Sequence, residues 1–315
     1  MRALVTGGAG FIGSNLAIRL AQDGHEVVAA DTFLSGHWQT LRNFTGDVLT
    51  LEHPTDIDSI LDVVDSGGAF DVIFHQAAIT GVIAKDGTAS AGEDVQGFLR
   101  NNIEQFRQLL DLAVETEARL VWASSCSVYG RGGAPQRESD PLEPLNVYAF
   151  TKIQKERLAE RYADRLKQPA VGLRYSNVYG PGEAHKGKLA SMIHQLAKLM
   201  RAGKRPRIFT PGTQRRDFVY IDDVVTANLK AATANESGIY NAGAGASWSF
   251  NEVVAELNRV LKTDLQPEYF ENPYGFTQDH TETDMSAIKT KLGHVSAFDL
   301  RSGVEAYEKS GMLGM

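Results

Sequence analysis

An α/β fold built on a doubly wound parallel sheet, with a smaller C-terminal lobe, is what this sequence predicts, on three observations. In the first half, short apolar runs alternate with amphipathic stretches, the pattern of successive βαβ units. A glycine cluster, Gly7-Gly8-Ala9-Gly10-Phe11-Ile12-Gly13, lies between the first apolar run and the first amphipathic stretch. After Arg174 the character changes, with Gly180, Pro181, Gly182 and Gly187 close together. The 315 residues suffice for one large domain or a domain with a smaller partner, and 43% apolar residues can build a sizeable core.

Taken in order, residues 2–6 read as the first strand, 11–22 as the following helix and 26–30 as the second strand. A third strand precedes Asp56. Residues 71–75, 120–125 and 170–174 are apolar runs of strand length, and 93–117 and 146–167 carry helical periodicity. Beyond Arg174 a helix is expected near 189–201 and a basic strand near Arg207. Residues 221–234 and 238–241 read as one more helix–strand unit returning to the main sheet. Ser249 with Glu252 forms a capping box for a helix to about Leu261.

The formal charge of −7 argues against a nucleic-acid partner or an anionic membrane, which call for a basic face. Cys126 is the single cysteine, which excludes an intramolecular disulfide and a cysteine-based metal cage. No apolar run approaches the roughly 20 residues that cross a bilayer. The glycine cluster starts so near Met1 that no targeting segment fits before it, and a cytoplasmic protein is expected.

Gly8-x-Gly10-x-x-Gly13 fits the dinucleotide fingerprint, and Gly7-x-x-Gly10-x-x-Gly13 fits its short-chain variant. Glycines there permit a tight turn and let the backbone approach a pyrophosphate. The N–H groups of Phe11 and Ile12 open the helix and face the phosphates with a positive dipole end. Asp31, closing the second strand, is placed to bond adenosine ribose hydroxyls. Its charge favours NAD over NADP, since the following loop offers His37 but no Lys or Arg for a 2′-phosphate. Asp56 suits either an adenine amino group or the cap of a helix at Ile57. Ala77 joins the cofactor set. These readings make the fold Rossmann-type. Residues 1–175 and 213–242 form the dinucleotide-binding domain, and 176–212 and 243–315 a substrate-binding lobe.

Tyr148 and Lys152 stand four residues apart on an expected helix, on one face. A tyrosine with an ordinary pKa near 10 has to exchange a proton at neutral pH. A nearby ammonium and a helix N-terminus both favour the phenolate, and Asn146 is placed to cap that helix. Lys152 also suits the nicotinamide ribose. Ser125, at the end of a buried strand, can bond a substrate hydroxyl, ahead of Ser124 and Ser127. This is a hydride-transfer constellation.

Residues 6–13, Asp31, residues 124–130 and Tyr148-x-x-x-Lys152 resemble the extended short-chain dehydrogenases that act on nucleotide sugars. More narrowly, the chain resembles the ADP-glyceromanno-heptose 6-epimerases. The carrying stretches are Pro144-Leu145-Asn146-Val147-Tyr148, residues 174–181 followed by His185-Lys186-Gly187, Arg216-Asp217-Phe218-Val219-Tyr220, and Phe276-Thr277-Gln278. The resemblance implies that C6 of a heptose is oxidised to a ketone and re-reduced from the other face, with a tightly bound cofactor. The oxygen then occupies two positions and needs two acid–base groups, Tyr148 and, by resemblance, Lys186.

Asn177 is placed to bond sugar hydroxyls or the diphosphate. Arg216 suits a bidentate grip on phosphate, with pairing to Asp217 or Asp222 as the competing role. Tyr274 matches a family position near the substrate. His185 supports its loop, Lys188 faces solvent or phosphate, and no metal is expected. Residues 79–94 depart from the family, lacking its serine- and threonine-rich run and the Glu-Trp-Asp-Gly that follows. A homo-oligomer is expected by family analogy. The alternative within enzymes is a UDP- or GDP-hexose 4-epimerase, which gives Lys186 no special role. A dinucleotide-sensing protein without turnover needs no Tyr–Lys pair at all.

Overall fold

The computed structural model describes residues 1–80, 95–272 and 279–315. The chain forms two compact units. One comprises residues 1–128, 142–174 and 225–240, the other 129–141, 175–224 and 241–315, so the chain passes between them five times.

Among the described residues the sheet has seven strands: β1 (Arg2–Thr6), β2 (Glu26–Asp31), β3 (Asp47–Thr50), β4 (Val72–His75), β5 (Arg119–Ser125), β6 (Ala170–Tyr175) and β7 (Gly238–Ala242). Their spatial order is β7-β6-β5-β4-β1-β2-β3. The pairs β1–β2, β1–β4, β2–β3 and β4–β5 are parallel, with Ala3 opposite Val27 on one side and Val72 on the other. The order reverses between β1 and β4, and ligands bind beyond the strand ends at such a reversal. Because these strands are parallel, Thr6, Asp31, His75 and Ser125 all reach the same edge. The inner strands β1, β2, β4, β5 and β6 are buried on both faces, so they read as largely continuous apolar runs, whereas the edge strand β3 is mostly exposed. Leu4, Phe74, Leu120 and Trp122 are at most 1% exposed.

The helix after β1, Phe11–Gln22, starts at an extended Gly10 and buries Phe11, Leu16, Ala17 and Leu20. The expected helix over 93–117 is interrupted. Among the described residues it runs Val95–Leu99, then a π turn at Arg100–Glu104, then Gln105–Thr116. The π turn brings Asn101 and Asn102, both buried, inward together. Asn102 accepts from the Ile79 amide (2.9 Å) and donates to the Ile79 carbonyl (3.0 Å) and Thr151 Oγ1 (3.1 Å). The expected helix over 146–167 ends at Tyr162, and a turn ahead of Pro169 leads into β6.

The second unit is built from paired short strands and helices. Asn177–Tyr179 runs parallel to Phe218–Tyr220, and Arg207–Phe209 parallel to Glu268–Phe270. Arg215–Arg216 lies antiparallel to Trp248–Ser249. Residues 213–224 belong to this unit. The helix expected from 189 begins at Met192, because the Ser191 side chain caps it by accepting from the His194 amide (3.2 Å). The helix expected over 221–234 spans Ile221–Ala231. The Ser249–Glu252 capping box is present, opening Phe250–Leu261. Helices Ser286–Leu292 and Leu300–Lys309 follow. Among the described residues no helix is long and apolar enough to cross a membrane.

Candidate active site

The Gly-rich turn is shaped by backbone contact. Gly7 has φ of 71°, and a Cβ there would lie 2.6 Å from the Ala77 amide nitrogen, so Ala77 lies against the turn. A Cβ on Gly13 would lie 2.0 Å from the Gly7 carbonyl oxygen. Gly10 caps the helix and brings no side chain of its own to the N–H groups of Phe11 and Ile12. A helix N-terminus of this kind suits a pyrophosphate.

Asp31 is 8% exposed. Its carboxylate accepts from the Ala9 amide (2.9 Å) and the Phe33 amide (2.8 Å), tying the end of β2 to the Gly-rich turn. Carboxylate oxygens accept more than one bond each, so ribose hydroxyls remain compatible. Asp56 takes the capping role. Ser59 N (3.3 Å) and Ser59 Oγ (2.9 Å) bond it, as does the Glu52 amide (2.9 Å). Burial pushes its carboxyl up, and these bonds outweigh it to hold the group below the usual range.

Ser125, Tyr148 and Lys152 come together at the end of β5. Asn146 caps the helix Val147–Tyr162 by accepting from the Ala149 amide (2.8 Å), which sets Tyr148 in the first turn. Lys152 is 1% exposed. Its amine donates to the Ala123 carbonyl (2.8 Å) and stands 5.3 Å from the Tyr148 ring centre. Burial pushes the Tyr148 phenol up to about 12, partly offset by a hydrogen bond with Ser125. Burial also lowers the Lys152 ammonium to about 7, against the pull of Glu156. The spacing leads one to expect a lowered phenol, but in the chain by itself desolvation dominates and the phenol stands above its ordinary value.

Ser124 is separated from its neighbour by function. It donates to Glu156 (2.5 Å), which also receives Arg174 through two bonds (2.9 and 2.7 Å). This buried ion pair underlies the site and was not found from sequence, although Glu156 sits four residues past Lys152 on the same helix face. Lys155 was also missed. Its amine is fully buried without a hydrogen-bond partner among the described residues, 4.7 Å from the Phe106 ring centre, and burial holds it well below the usual lysine range. Cys126 is buried and donates to the Arg174 carbonyl (3.1 Å).

In the second unit a cavity of about 660 Å³ is lined by Asn177, Lys186, Lys188, Arg216, Phe250 and Phe270 among others. Three sequence-nominated residues, Asn177, Lys186 and Arg216, thus share one wall system. Asn177 donates to the Asp217 carbonyl (3.0 Å). Arg216 lies over the Phe250 ring (5.9 Å), and burial lowers it against the pull of Asp279. Asp217 is engaged elsewhere, accepting from Ser176 Oγ (3.0 Å), the Ala244 amide (2.7 Å) and Thr283 Oγ1 (2.5 Å). Lys186 sits in the turn Ala184–Leu189, broken at Gly187 with φ of 54° and ψ of −117°. Burial lowers its ammonium, against the pull of Glu183. His185 hydrogen-bonds the Gly182 carbonyl (2.8 Å). Among the described residues no group of three or more His, Cys, Asp or Glu is arranged to hold a metal ion. Tyr274 and most of the divergent 79–94 stretch lie outside the described residues.

The profile of the NAD dependent epimerase/dehydratase family matches residues 3–243. An ADP-L-glycero-D-manno-heptose-6-epimerase of Brachyspira hyodysenteriae is 35% identical, over 98% of this chain and 98% of its own. The crystal structure of the Helicobacter pylori protein of that name is 34% identical, with a TM-score of 0.88 over 98% of this chain and 95% of that one. The UDP-glucuronic acid 4-epimerase of Bacillus cereus, solved with UDP-glucuronic acid and NAD, is 28% identical, with a TM-score of 0.82 over 98% of each chain.

Proposed function

Because the chain belongs to the NAD-dependent epimerase/dehydratase family, we propose that it inverts C6 of a nucleotide-linked heptose, converting ADP-D-glycero-D-manno-heptose into the L-glycero epimer. When bound, NAD supplies the hydride acceptor for the alcohol and the hydride donor for the ketone. The residues that would hold it are Gly7, Gly10, Gly13 and Ala77 at the pyrophosphate, Asp31 at the adenosine ribose and Lys152 at the nicotinamide ribose.

Ser125 holds the substrate oxygen, and Tyr148 takes the hydroxyl proton as C6–H leaves as hydride. Lys152, where it holds its proton, places positive charge beside the phenol and favours its ionised form. The ketone then presents its opposite face, where Lys186 delivers the proton as hydride returns. One hydride leaves and returns, and one proton leaves to Tyr148 while another comes from Lys186; the cycle closes when Tyr148 gives its proton to solvent and Lys186 takes one back. Arg216 grips the diphosphate and Asn177 the sugar hydroxyls or the diphosphate. The reading carries a homo-oligomeric, cytoplasmic enzyme with it.

The observation that carries this reading is Lys186, partly desolvated on the wall that also holds Arg216 and Asn177. A nucleotide-hexose 4-epimerase, the alternative raised by the likeness to the Bacillus cereus enzyme, needs the Ser–Tyr–Lys set but no second base. The test is to incubate the purified protein with ADP-D-glycero-D-manno-heptose and follow C6 by NMR without added reductant. Growth of the L-glycero epimer supports the reading. No change, with NAD shown to be bound, refutes the heptose assignment and directs the assay to UDP- and GDP-hexoses.

A further inference from the structure

The turn carrying Lys186 hangs from one buried carboxylate. Glu183 is 0% exposed. Its Oε1 accepts from the Gly180 amide (3.1 Å) and Ser191 Oγ (2.9 Å), and its Oε2 from the Ser191 amide (2.5 Å). Gly180 and Ser191 bracket the segment, so a single side chain ties its two ends together. The main chain adds a third tie, since the Lys186 amide donates to the Glu183 carbonyl (3.0 Å). Nothing else in this arrangement requires a charge. Backbone N–H groups are satisfied as well by a neutral acceptor, and burying a carboxylate is costly unless a positive group answers it.

Among the described residues Lys186 is the positive group whose charge acts on Glu183. On its other side Glu183 lies within electrostatic reach of Tyr307, whose hydroxyl hydrogen-bonds His194 Nδ1 (2.9 Å). Tyr307 is 0% and His194 3% exposed, and their rings stack at 6.2 Å. A buried polar row therefore runs Lys186, Glu183, Tyr307, His194, ending against the helix Met192–Arg201 that Ser191 caps.

We propose that Glu183 is the positioning residue for Lys186: its carboxylate fixes the turn that presents the amine and, backed by Tyr307 and His194, holds that amine at the second acid–base station. The inference rests on the reading of Lys186 as the second acid–base group. Glu183 touches neither substrate nor cofactor in this role and acts through Lys186 alone. The carboxylate is invisible to motif reading because it faces inward, though its place three residues before Lys186 is the signal that marks it.

The test exploits the two directions of the reaction. With NAD bound, each epimer is offered separately and the near-ultraviolet absorbance of reduced nicotinamide is followed with C6 inversion. Tyr148 serves one epimer and Lys186 the other, so damage to the Lys186 station is asymmetric. Glu183→Gln is expected to slow Lys186-served hydride transfer by about 10- to 100-fold. Reduced nicotinamide then accumulates from the Tyr148-served epimer and fails to appear from the other. A merely structural role slows both alike, and that outcome, or an unchanged rate, overturns the proposal. Lys186→Met is run beside it. If Lys186→Met still epimerises, the second-base reading itself fails; if it is blocked while Glu183→Gln is unaffected, only the positioning inference fails. Should Glu183→Gln not fold, Ser191→Ala, which removes one of the three donors, gives a smaller asymmetry of the same sign, and symmetric slowing there also overturns it.

Discussion

Replacing Lys152 with methionine is expected to make the protein more stable at neutral pH while abolishing turnover. Burial lowers this amine from 10.5 to about 7, and every tenfold loss of proton affinity corresponds to about 1.4 kcal/mol. The ammonium is therefore disfavoured in the folded chain by about 5 kcal/mol. The sign follows from proton counts. Between pH 7 and 10.5 the unfolded chain holds the proton and the folded chain has lost it, so stability rises with pH across that window. Below about pH 7 both states are protonated and the full penalty persists.

Methionine has no proton to lose and similar bulk. Its variant forfeits the Lys152–Ala123 bond, about 1 kcal/mol. The net expectation is a gain of about 3 kcal/mol at pH 7, shrinking to nothing or reversing near pH 10.5. Urea unfolding of cofactor-stripped protein, followed by circular dichroism at pH 6, 7.5 and 9.5, measures it. Titrating groups remote from the site contribute equally to both proteins and cancel in the difference, whereas His75 and Lys155 feel the Lys152 charge and shift when it is removed. A variant that is less stable at pH 7, or a difference that does not change with pH, refutes the desolvation argument.

Gly13→Ala drives a Cβ to 2.0 Å from the Gly7 carbonyl oxygen, overpacking that costs about 1–3 kcal/mol; the purified variant should hold NAD roughly 10- to 100-fold more weakly, and an undiminished cofactor content would contradict it. Glu156→Leu removes the carboxylate that answers the buried Arg174 guanidinium and accepts from Ser124, with an expected loss of about 3–5 kcal/mol. Thermal melts should fall by roughly 10 °C and recover largely in Glu156→Leu/Arg174→Met; a double variant no better than the single speaks against a stranded charge. Lys155→Met removes an amine buried without a partner among the described residues, so about 1–3 kcal/mol of stability is expected to return with turnover unchanged, and a lower melting temperature would show that the amine has a use.

What the sequence disclosed follows from where the physics is local. β1 and the helix Phe11–Gln22 were legible to the residue because a strand buried on both faces, a glycine turn and an amphipathic helix each leave a short-range pattern. Ser125, Tyr148 and Lys152 were nominated on equally local grounds, a strand end and a spacing on one helix, whereas Lys186 was nominated by the likeness of its loop to a family. The break at Arg100–Glu104 was not, because what bends the helix is Asn102 reaching Ile79 and Thr151, partners distant in the chain. The helix Val147–Tyr162 buries Lys152, Lys155 and Glu156 on one side, which removes the apolar stripe that burial normally leaves. Arg174 reads as a strand end, and nothing near it in sequence says that its partner is Glu156. Glu183 and Tyr307, 124 positions apart by their numbering, meet only in three dimensions.

The five passages of the chain between the two units bear on how the protein is made. A ribosome extends a chain at about 5–20 residues per second, and domains generally fold as they emerge. Here the first unit takes its last segment from residues 225–240 and the second from 241–315. Neither has its full set of parts until most of the polypeptide has left the exit tunnel. The nascent Gly-rich turn, with its bare helix end, therefore waits through the synthesis of more than 200 residues before β7 closes its sheet, an interval in which a holding chaperone has most to protect. Nor is there a peptide bond at which the chain can be cut to release one intact half.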